Sequence, residues 1–322
     1  MKLIFILNLL IFFTISVWAS SVPPNSLKNL ILESEVIVIA HVQSVQTGRT
    51  KEIQKGDNIQ FIKEPSIAKL QIIEALKGKT TNQINVKFNS YPMCCKPLKY
   101  IKNTTIVTFL VKDNKENTYT THSFGYGLKT PDEEGINVYK KRIQEFQLIQ
   151  KIDDETIREK ETVEWLVKCA ENKYTRFEGF YELHKGNNYW SVLDRKTDTN
   201  NKEYKLTESQ IQRLRKTLLS LNALLYNDFR IINVVKTKND KELIVFLIEK
   251  FTNYLYSKNI LEDAYMIKKH MEYLAGLTGD LDLNSIYEEY NDKFNESLDN
   301  STLPKEVIEK FNRVLTEKYK TP

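Results

Sequence analysis

The chain has 322 residues, with 47 Lys and Arg against 42 Asp and Glu and a formal net charge of +5. Opposite charges alternate along it without long blocks of one sign, which argues against a dedicated nucleic-acid-binding or membrane-surface protein. The hydrophobic fraction of 41% supports globular packing. The length exceeds what one compact core usually holds, so two domains are expected.

Residues 1–19 have the pattern of an export signal peptide. Lys2 precedes a mostly apolar run, LIFILNLLIFFTISVW, and the residues Val17 and Ala19 predict cleavage near Ala19. The run is shorter than the roughly 20 residues that span a bilayer, so an uncleaved anchor is the less favoured alternative. We expect an exported chain, periplasmic or extracellular, with no transmembrane segment after cleavage.

Residues 20–150 have the pattern of a β-rich domain. A short helix, NSLKNLILES, comes first and can be capped by Asn25 or Ser26. Five strand-like runs separated by short turns follow and predict a small antiparallel sheet or barrel; they are residues 35–46, 66–79, 84–88, 104–114 and 118–124. The first run opens with consecutive apolar residues, as does a strand buried on both faces.

A change to helical spacing begins at Thr130. Thr130 as N-cap, Pro131 at the first helical position and Glu133 form a predicted capping box. Residues 151–322 then predict an all-α domain with helices at about 154–173, 206–226, 241–258, 261–277, 283–298 and 304–319. Thr207 and Gln210 predict a second capping box. No residue pattern recurs at a fixed period, so a loose solenoid and a compact bundle both remain open.

The N-terminal pattern resembles a known family. A helix, then SEVIVIAHV, IAKLQIIEALKG, INVKF, a cysteine and TTIVTFLV resemble the netrin-module and TIMP-like (NTR-like) domains of secreted bacterial proteins. The matching stretches are Ser34–Val42, Ala68–Gly78 and Cys95–Leu110. The resemblance implies an α+β chain with a five-stranded OB-type β-barrel and flanking helices, here followed by the all-α helical domain. TIMP inhibitors chelate a protease zinc through an N-terminal cysteine; no cysteine precedes Cys94 here, so the resemblance implies the fold without that inhibitory site.

The three cysteines, Cys94, Cys95 and Cys169, are candidate disulfide or thiol positions. In an exported chain, Cys94 and Cys95 could form a vicinal disulfide, or one of them could bridge to Cys169. All three could instead be buried thiols. Structural roles are favoured, since no nearby group clearly lowers a thiol pKa. The cationic neighbours Lys96 and Lys99 leave a reactive thiolate as the lesser alternative.

No metal or cofactor is predicted. Glycine-rich phosphate loops are absent from the sequence, and the histidines are far apart in sequence: His41, His122, His184 and His270. His41 and His122 lie in predicted strands, so they could meet across the sheet, but outward-facing strand histidines are the favoured interpretation.

Residues 279–285, GDLDLNS, resemble the start of a calcium loop. Ser285 and Asn291 stand where such a loop needs glycine and a bidentate acid. A helix start capped by Asp282 or Asn284 is therefore expected.

The predicted function is that of a non-enzymatic binding or inhibitor-like protein whose barrel presents a surface to a protein or glycan. An irregular aromatic segment at 177–201 supplies the candidate binding surface, made of Phe177, Phe180, Tyr181, Tyr189 and Trp190. One alternative is a structural protein of envelope assembly. A less favoured one is a thiol enzyme that uses Cys94 or Cys95 with a histidine.

Overall fold

The computed structural model describes residues 25–55, 58–89, 98–113, 118–183, 204–237, 240–256, 264–296 and 304–319. The signal-peptide prediction for residues 1–19 lies outside this range, as do Cys94, Cys95, His184, Tyr189 and Trp190. The chain divides into two compact units, Met1–Leu148 and Ile149–Pro322. Within the described residues, no helix has both the length and the apolar character needed to cross a membrane.

The described residues of the first unit form two α-helices and eight strands. In chain order they are α1 (Leu27–Glu33), β1 (Val36–Gln46), β2 (Thr50–Lys55), β3 (Asn58–Lys63), β4 (Ser66–Lys77), β5 (Gln83–Phe88), β6 (Thr105–Asp113), β7 (Thr118–Thr121), β8 (Leu128–Lys129) and α2 (Glu133–Ile149). All five predicted strand runs are strands. The sequence analysis missed the β2–β3 hairpin and the two-residue strand β8.

Five of these strands close into a barrel. Its order is β1-β4-β5-β7-β6, and β6 pairs again with β1 to complete the ring, while β8 pairs with Val107 and Thr108 of β6. The β5–β7 pair is parallel and the other neighbours are antiparallel, which differs from the purely antiparallel sheet expected. The result is an OB-type barrel, and the predicted α+β fold class is confirmed.

Alternate residues of the strands fill the barrel. Its core includes Val38, Leu70 and Val86, and the buried Tyr100 hydroxyl lies 2.7 Å from Thr121 Oγ1 and 3.2 Å from Thr108 Oγ1. Burial raises the pKa of Tyr100 to about 12. The hydroxyl therefore stays protonated and keeps its hydrogen bonds at neutral pH.

The outer side of β1 is also buried. Every residue from Val36 to Ala40 is buried, so the predicted burial of this strand on both faces is confirmed. Two helices of the same unit are tied to β4: Lys77 Nζ donates to the α1 carbonyl of Ile31 at 2.6 Å, and Gln147 of α2 donates to Leu76 O at 3.0 Å. The apolar faces of α1 and α2 are buried in this unit.

Of the N-caps predicted for α1 and α2, the structure confirms the one for α1. Ser26 Oγ accepts from Asn29 N, so the predicted cap of α1 is confirmed. The predicted Thr130 capping box is wrong, because Asp132 Oδ1 accepts from Gly135 N at 2.9 Å and α2 begins at Glu133. A carboxylate is at least as good an N-cap as a threonine hydroxyl.

The second unit is entirely helical in its described residues. Its helices are α3 (Glu155–Glu171), α4 (Arg176–Leu183), α5 (Glu208–Leu219), α6 (Phe229–Val235), α7 (Lys241–Leu255), α8 (Ala264–Thr278), α9 (Leu281–Glu296) and α10 (Lys305–Tyr319). Helix α3 packs on α4 and α5, and α6 packs on both of these; α7, α8, α9 and α10 contact one another in a ring. The choice between a loose solenoid and a compact bundle for the whole unit stays a prediction.

Two details of this unit differ from the prediction. Residues 177–183 of the aromatic segment lie in α4 rather than in irregular structure. Helix α9 begins at Leu281, and its cap is Asp280, whose Oδ1 accepts from Asp282 N and Leu283 N. Asp280 and Asp282 both pair with Lys318, so the calcium-like stretch serves as a helix start held by a lysine. The predicted Thr207–Gln210 capping box is confirmed.

Candidate functional site

An open groove of about 600 Å³ lies on the barrel. Strands β4 and β5, the turn between them and the ends of β6 and β7 form it. Its lining residues are Lys69, Lys79, Thr80, Thr81, Gln83, Ile84, Asn85, Lys112 and Tyr119. The volume is in the range of ordinary ligand sites.

Strand alternation explains why polar side chains form the floor of this groove. Lys69 stands between the fully buried Ala68 and Leu70, so its own side chain faces outward. Asn85 is exposed between two buried residues of β5. Lys69 and Asn85 are directly opposite in the β4–β5 register, so their side chains are neighbours on the outer face.

A glycine fixes the turn that closes one end of the groove. Gly78 has φ +75°, and a Cβ there would lie 2.4 Å from the carbonyl oxygen of Glu35. Any other residue would be both strained and in collision. The turn that follows places Lys79 and Thr80 at the groove, and Thr81 Oγ1 donates to Gln83 O at 2.6 Å.

Amide side chains continue the polar surface beside the groove. Gln83 Nε2 donates to Gln71 Oε1 at 3.0 Å, and Gln43 Nε2 donates to the same oxygen at 3.3 Å. These bonds link β1, β4 and β5 on their outer face. They hold the Gln83 side chain in place at the groove.

The opposite wall comes from β6 and β7. Lys112 lies opposite Tyr119 in the β6–β7 register, and Tyr119 lies opposite Val86 in the parallel β5–β7 pair. Lys112 is exposed, whereas Tyr119 is only 7% exposed and belongs to the barrel core. The wall therefore offers an ammonium group and little aromatic surface.

The groove is positively charged. Its described lining contains Lys69, Lys79 and Lys112 and no acidic residue. None of these ammonium groups has a salt bridge to a carboxylate among the described residues, whereas Lys140 of the same unit pairs with Glu74 at 2.7 Å. Three lysines from three different segments thus place unneutralised charge in the lining of one groove.

The predicted aromatic surface is only partly described. Phe180 is completely buried, and its neighbours on α4, Phe177 and Tyr181, are half-buried with ring centroids 5.7 Å apart. The guanidinium of Arg230 lies 5.0 Å from the Tyr181 ring. These three aromatic residues pack within the helical unit. The other two predicted members, Tyr189 and Trp190, lie outside the described residues.

Of the three cysteines, Cys169 alone lies among the described residues. Cys169 is a completely buried thiol on α3, and its carbonyl oxygen accepts a 2.9 Å hydrogen bond from Thr175 Oγ1. Cys94 and Cys95 are not among the described residues. Their pairing and reactivity stay predictions.

The two strand histidines do not meet. His41 lies opposite Thr105 on β6, whereas the backbone N–H of His122 donates to Phe109 O on the same strand. These β6 positions are four residues apart, or about 13 Å. Among the described residues, no three His, Cys, Asp or Glu side chains cluster as metal ligands would.

His122 takes part in a polar cluster next to α1. Its Nε2 lies 2.8 Å from Glu33 Oε2, and the Asn25 amide donates to Ser123 Oγ at 2.7 Å. The imidazole thus contacts an acid, and the serine hydroxyl is engaged by an amide. This is a tie between α1 and the turn after β7 rather than the nucleophile–base contact of a hydrolase.

Sequence reasoning missed the groove although its signal was present. Strand alternation already marks Lys69 and Asn85 as outward residues, and a lysine flanks each side of Gly78. Comparing outward positions on adjacent strands would have shown the polar, basic stripe.

No protein-family model matches the chain. No curated protein shows significant sequence similarity to it.

Proposed function

We propose that this chain is an exported, non-enzymatic binding or inhibitor-like protein whose OB-type barrel presents the groove to a protein or glycan partner. The observation that carries the proposal is the groove itself, a polar surface of ligand-site size on the barrel wall. The signal-peptide pattern supports export, and the resemblance to netrin-module and TIMP-like domains supports a secreted binding role.

The position of the groove in the fold supports the same proposal. OB-type barrels commonly bind ligands on the face of their second and third strands. In this barrel those strands are β4 and β5, which form the groove floor. This support is an analogy between folds, so the side chains of the groove have to carry the rest of the argument.

The chemistry of the lining supports binding rather than catalysis. The described lining has hydroxyls at Thr80 and Thr81 but no histidine, cysteine or carboxylate. A hydroxyl nucleophile needs an adjacent base to become reactive, and general acid–base chemistry needs a group that titrates near the working pH. Lysines, amides and hydroxyls instead supply hydrogen bonds and charge to a bound partner.

A substitution that fills the groove tests this proposal. Asn85→Trp places a large ring on the exposed groove floor without changing the charge, and we expect it to weaken binding at least about tenfold, or about 1.4 kcal/mol. Ile73→Trp, at an exposed β4 position outside the lining, is the matched control. Binding is measured on an array of neutral and acidic oligosaccharides and immobilised envelope proteins. Unchanged binding by Asn85→Trp, or no binding by the unmodified protein, would contradict the proposal.

A further inference from the structure

The charge of the groove points to the class of its ligand. Lys69, Lys79 and Lys112 come from β4, the β4–β5 turn and β6, and the described lining places no acid among them. Ammonium groups that line one groove without an acid among them repel one another, and an anionic ligand relieves that repulsion. A neutral partner would leave them unneutralised.

The type of cationic side chain in the groove indicates which kind of anionic ligand fits it. Lysine is a compact point charge on a flexible stem, whereas arginine forms planar, bidentate contacts to single phosphate or carboxylate groups. The described lining contains no arginine. Spaced lysines suit charges distributed along a chain better than one tightly held anion.

The lining disfavours single-stranded nucleic acid. Proteins that bind such strands present exposed aromatic rings on which successive bases stack. Tyr119 is the sole aromatic residue in the described lining, and it is 7% exposed because it packs in the barrel core. The groove therefore has no aromatic stacking platform in its described residues.

The lining also disfavours an acidic peptide. Peptides often bind as an added strand at an open sheet edge; β4 is paired on both sides, and β5 is paired with β7 at Val86 and Lys87. Peptide and protein contacts otherwise depend on apolar or aromatic anchors in pockets. The two apolar-bodied lining residues, Ile84 and Tyr119, are both buried.

The uncharged groups of the groove lining match the hydroxyls of a sugar. Thr80, Thr81, Gln83 and Asn85 present hydroxyl and amide groups between the lysines. Such groups both donate and accept hydrogen bonds, as the hydroxyls of a sugar ring require. A chain that alternates sugar hydroxyls with carboxylate or sulfate groups would satisfy both sets of side chains.

We propose that the groove binds an acidic polysaccharide, with the lysines contacting its carboxylate or sulfate groups and the threonines and amides contacting its hydroxyls. This inference rests on the proposed function and specifies its ligand. Since the lysines are exposed, each contact is modest and screened by salt. Replacing one lysine by glutamine weakens binding about threefold, and replacing all three weakens it about thirtyfold.

The experiment uses the purified full chain and two acidic probes, a short oligogalacturonate and a heparin-derived oligosaccharide, which distinguish carboxylate from sulfate as the recognised group. A dextran fragment, polyglutamate and a single-stranded oligonucleotide are the comparison ligands. Titration calorimetry at low and high salt is run on the unmodified protein, on Asn85→Trp and on the variant Lys69→Gln/Lys79→Gln/Lys112→Gln.

A charge-matched control separates groove binding from general attraction. Lys102, Lys141 and Lys216 are exposed and lie outside the groove lining, so replacing them by glutamine removes the same net charge elsewhere. We expect an acidic oligosaccharide to bind, to weaken with salt and to lose about thirtyfold in affinity in the groove variant alone. A loss of similar size in the control variant would overturn the inference.

The remaining outcomes separate the inference from the proposed function. If Asn85→Trp abolishes binding of dextran or of a protein partner while the lysine variant binds normally, the inference fails and the proposed function stands. Equal or tighter binding of polyglutamate or the oligonucleotide also overturns the inference. If Asn85→Trp changes the binding of no ligand, both proposals fail.

Discussion

Several interactions of the helical unit converge on Asp240. It is the N-cap of α7, and its Oδ1 accepts from Leu243 N at 3.1 Å. Both its oxygens also accept from the Arg215 guanidinium of α5 at 2.6 Å. Burial alone would raise the pKa of Asp240, but the hydrogen bonds from Arg215 and from backbone N–H groups hold it well below its usual range.

Replacing Asp240 by asparagine removes the charge and keeps a capping oxygen, since asparagine is an equally good N-cap. The Asp240 side chain is 2% exposed and that of Arg215 13% exposed, so Asp240→Asn leaves a largely buried cation without its main partner. We expect a loss of about 3 kcal/mol in the free energy of unfolding at neutral pH, measured by urea denaturation.

The same pair predicts a dependence on pH. Because the pKa of Asp240 is depressed in the folded state, its stabilisation is complete above the ordinary aspartate pKa of about 4 and is lost as the pH falls through the folded-state pKa. The difference between wild type and Asp240→Asn should therefore shrink below about pH 4. Glu242→Gln is the control, since Glu242 contacts the same arginine but is 69% exposed. A difference that stays constant with pH would refute this account.

At the scale of elements, one glycine sets the approach of two helices. Gly179 of α4 faces the backbone of α3, and a Cβ there would lie 2.4 Å from Ala170 N and 2.6 Å from Leu166 O. Backbone atoms cannot move aside as a flexible side chain can. The α3–α4 contact therefore depends on the absence of a side chain at this position.

Gly179→Ala is expected to separate the two helices and to lower the free energy of unfolding by about 2 kcal/mol. Gly276 of α8 is the matched control, because a Cβ there has nothing within 4 Å. Gly276→Ala should raise stability by roughly 0.5–1 kcal/mol, the usual gain inside a helix. Thermal unfolding followed by circular dichroism measures both, and a stabilising Gly179→Ala would contradict the packing described.

The elements that the sequence predicted are those whose own packing imposes a periodic pattern. The strands of the barrel alternate because one face fills the core, and β1 reads as continuous because both its faces are buried. Strands β2 and β3 pair only with each other, so no barrel core demands alternation in TKEIQKGDNIQFIK. Helices α4 and α6 are eight and seven residues long, which is too short for a periodic stripe to stand out.

At the scale of the whole molecule, the barrel unit carries its own core. The core cluster of buried residues from Val36 to Leu128 belongs entirely to the unit that ends at Leu148. The barrel closes on itself through β1 and β6. A closed ring with a complete core has what an independently folding domain requires.

We therefore expect residues 25–148 to fold when produced alone. The fragment should unfold cooperatively in urea and show protected amides in β1, β4 and β6 by hydrogen exchange. The same fragment with Val38→Asp, which buries a carboxylate in the core, is the unfolded control. A fragment as unprotected as this control would show that the barrel needs the rest of the chain.

The groove shows why a site is harder to predict than a fold. Alternation alone turns Lys69 and Asn85 outward, and this much is local. Lys112 joins the same groove lining through β7, which pairs in parallel with β5 and antiparallel with β6. That arrangement depends on contacts between distant parts of the chain, and the sequence of β6 does not predict it.

The parallel β5–β7 pairing also has a consequence for the dynamics of the barrel. It consists of two residue pairs, Val86 with Tyr119 and Lys87 with Thr120, whereas the β4–β5 register extends over six. Local opening is easiest where the fewest backbone hydrogen bonds must break. The groove crosses this junction, with Asn85 on one side and Lys112 on the other. A ligand that contacts both sides would oppose local opening of this junction. Opening of the barrel and occupancy of its groove would therefore be thermodynamically coupled.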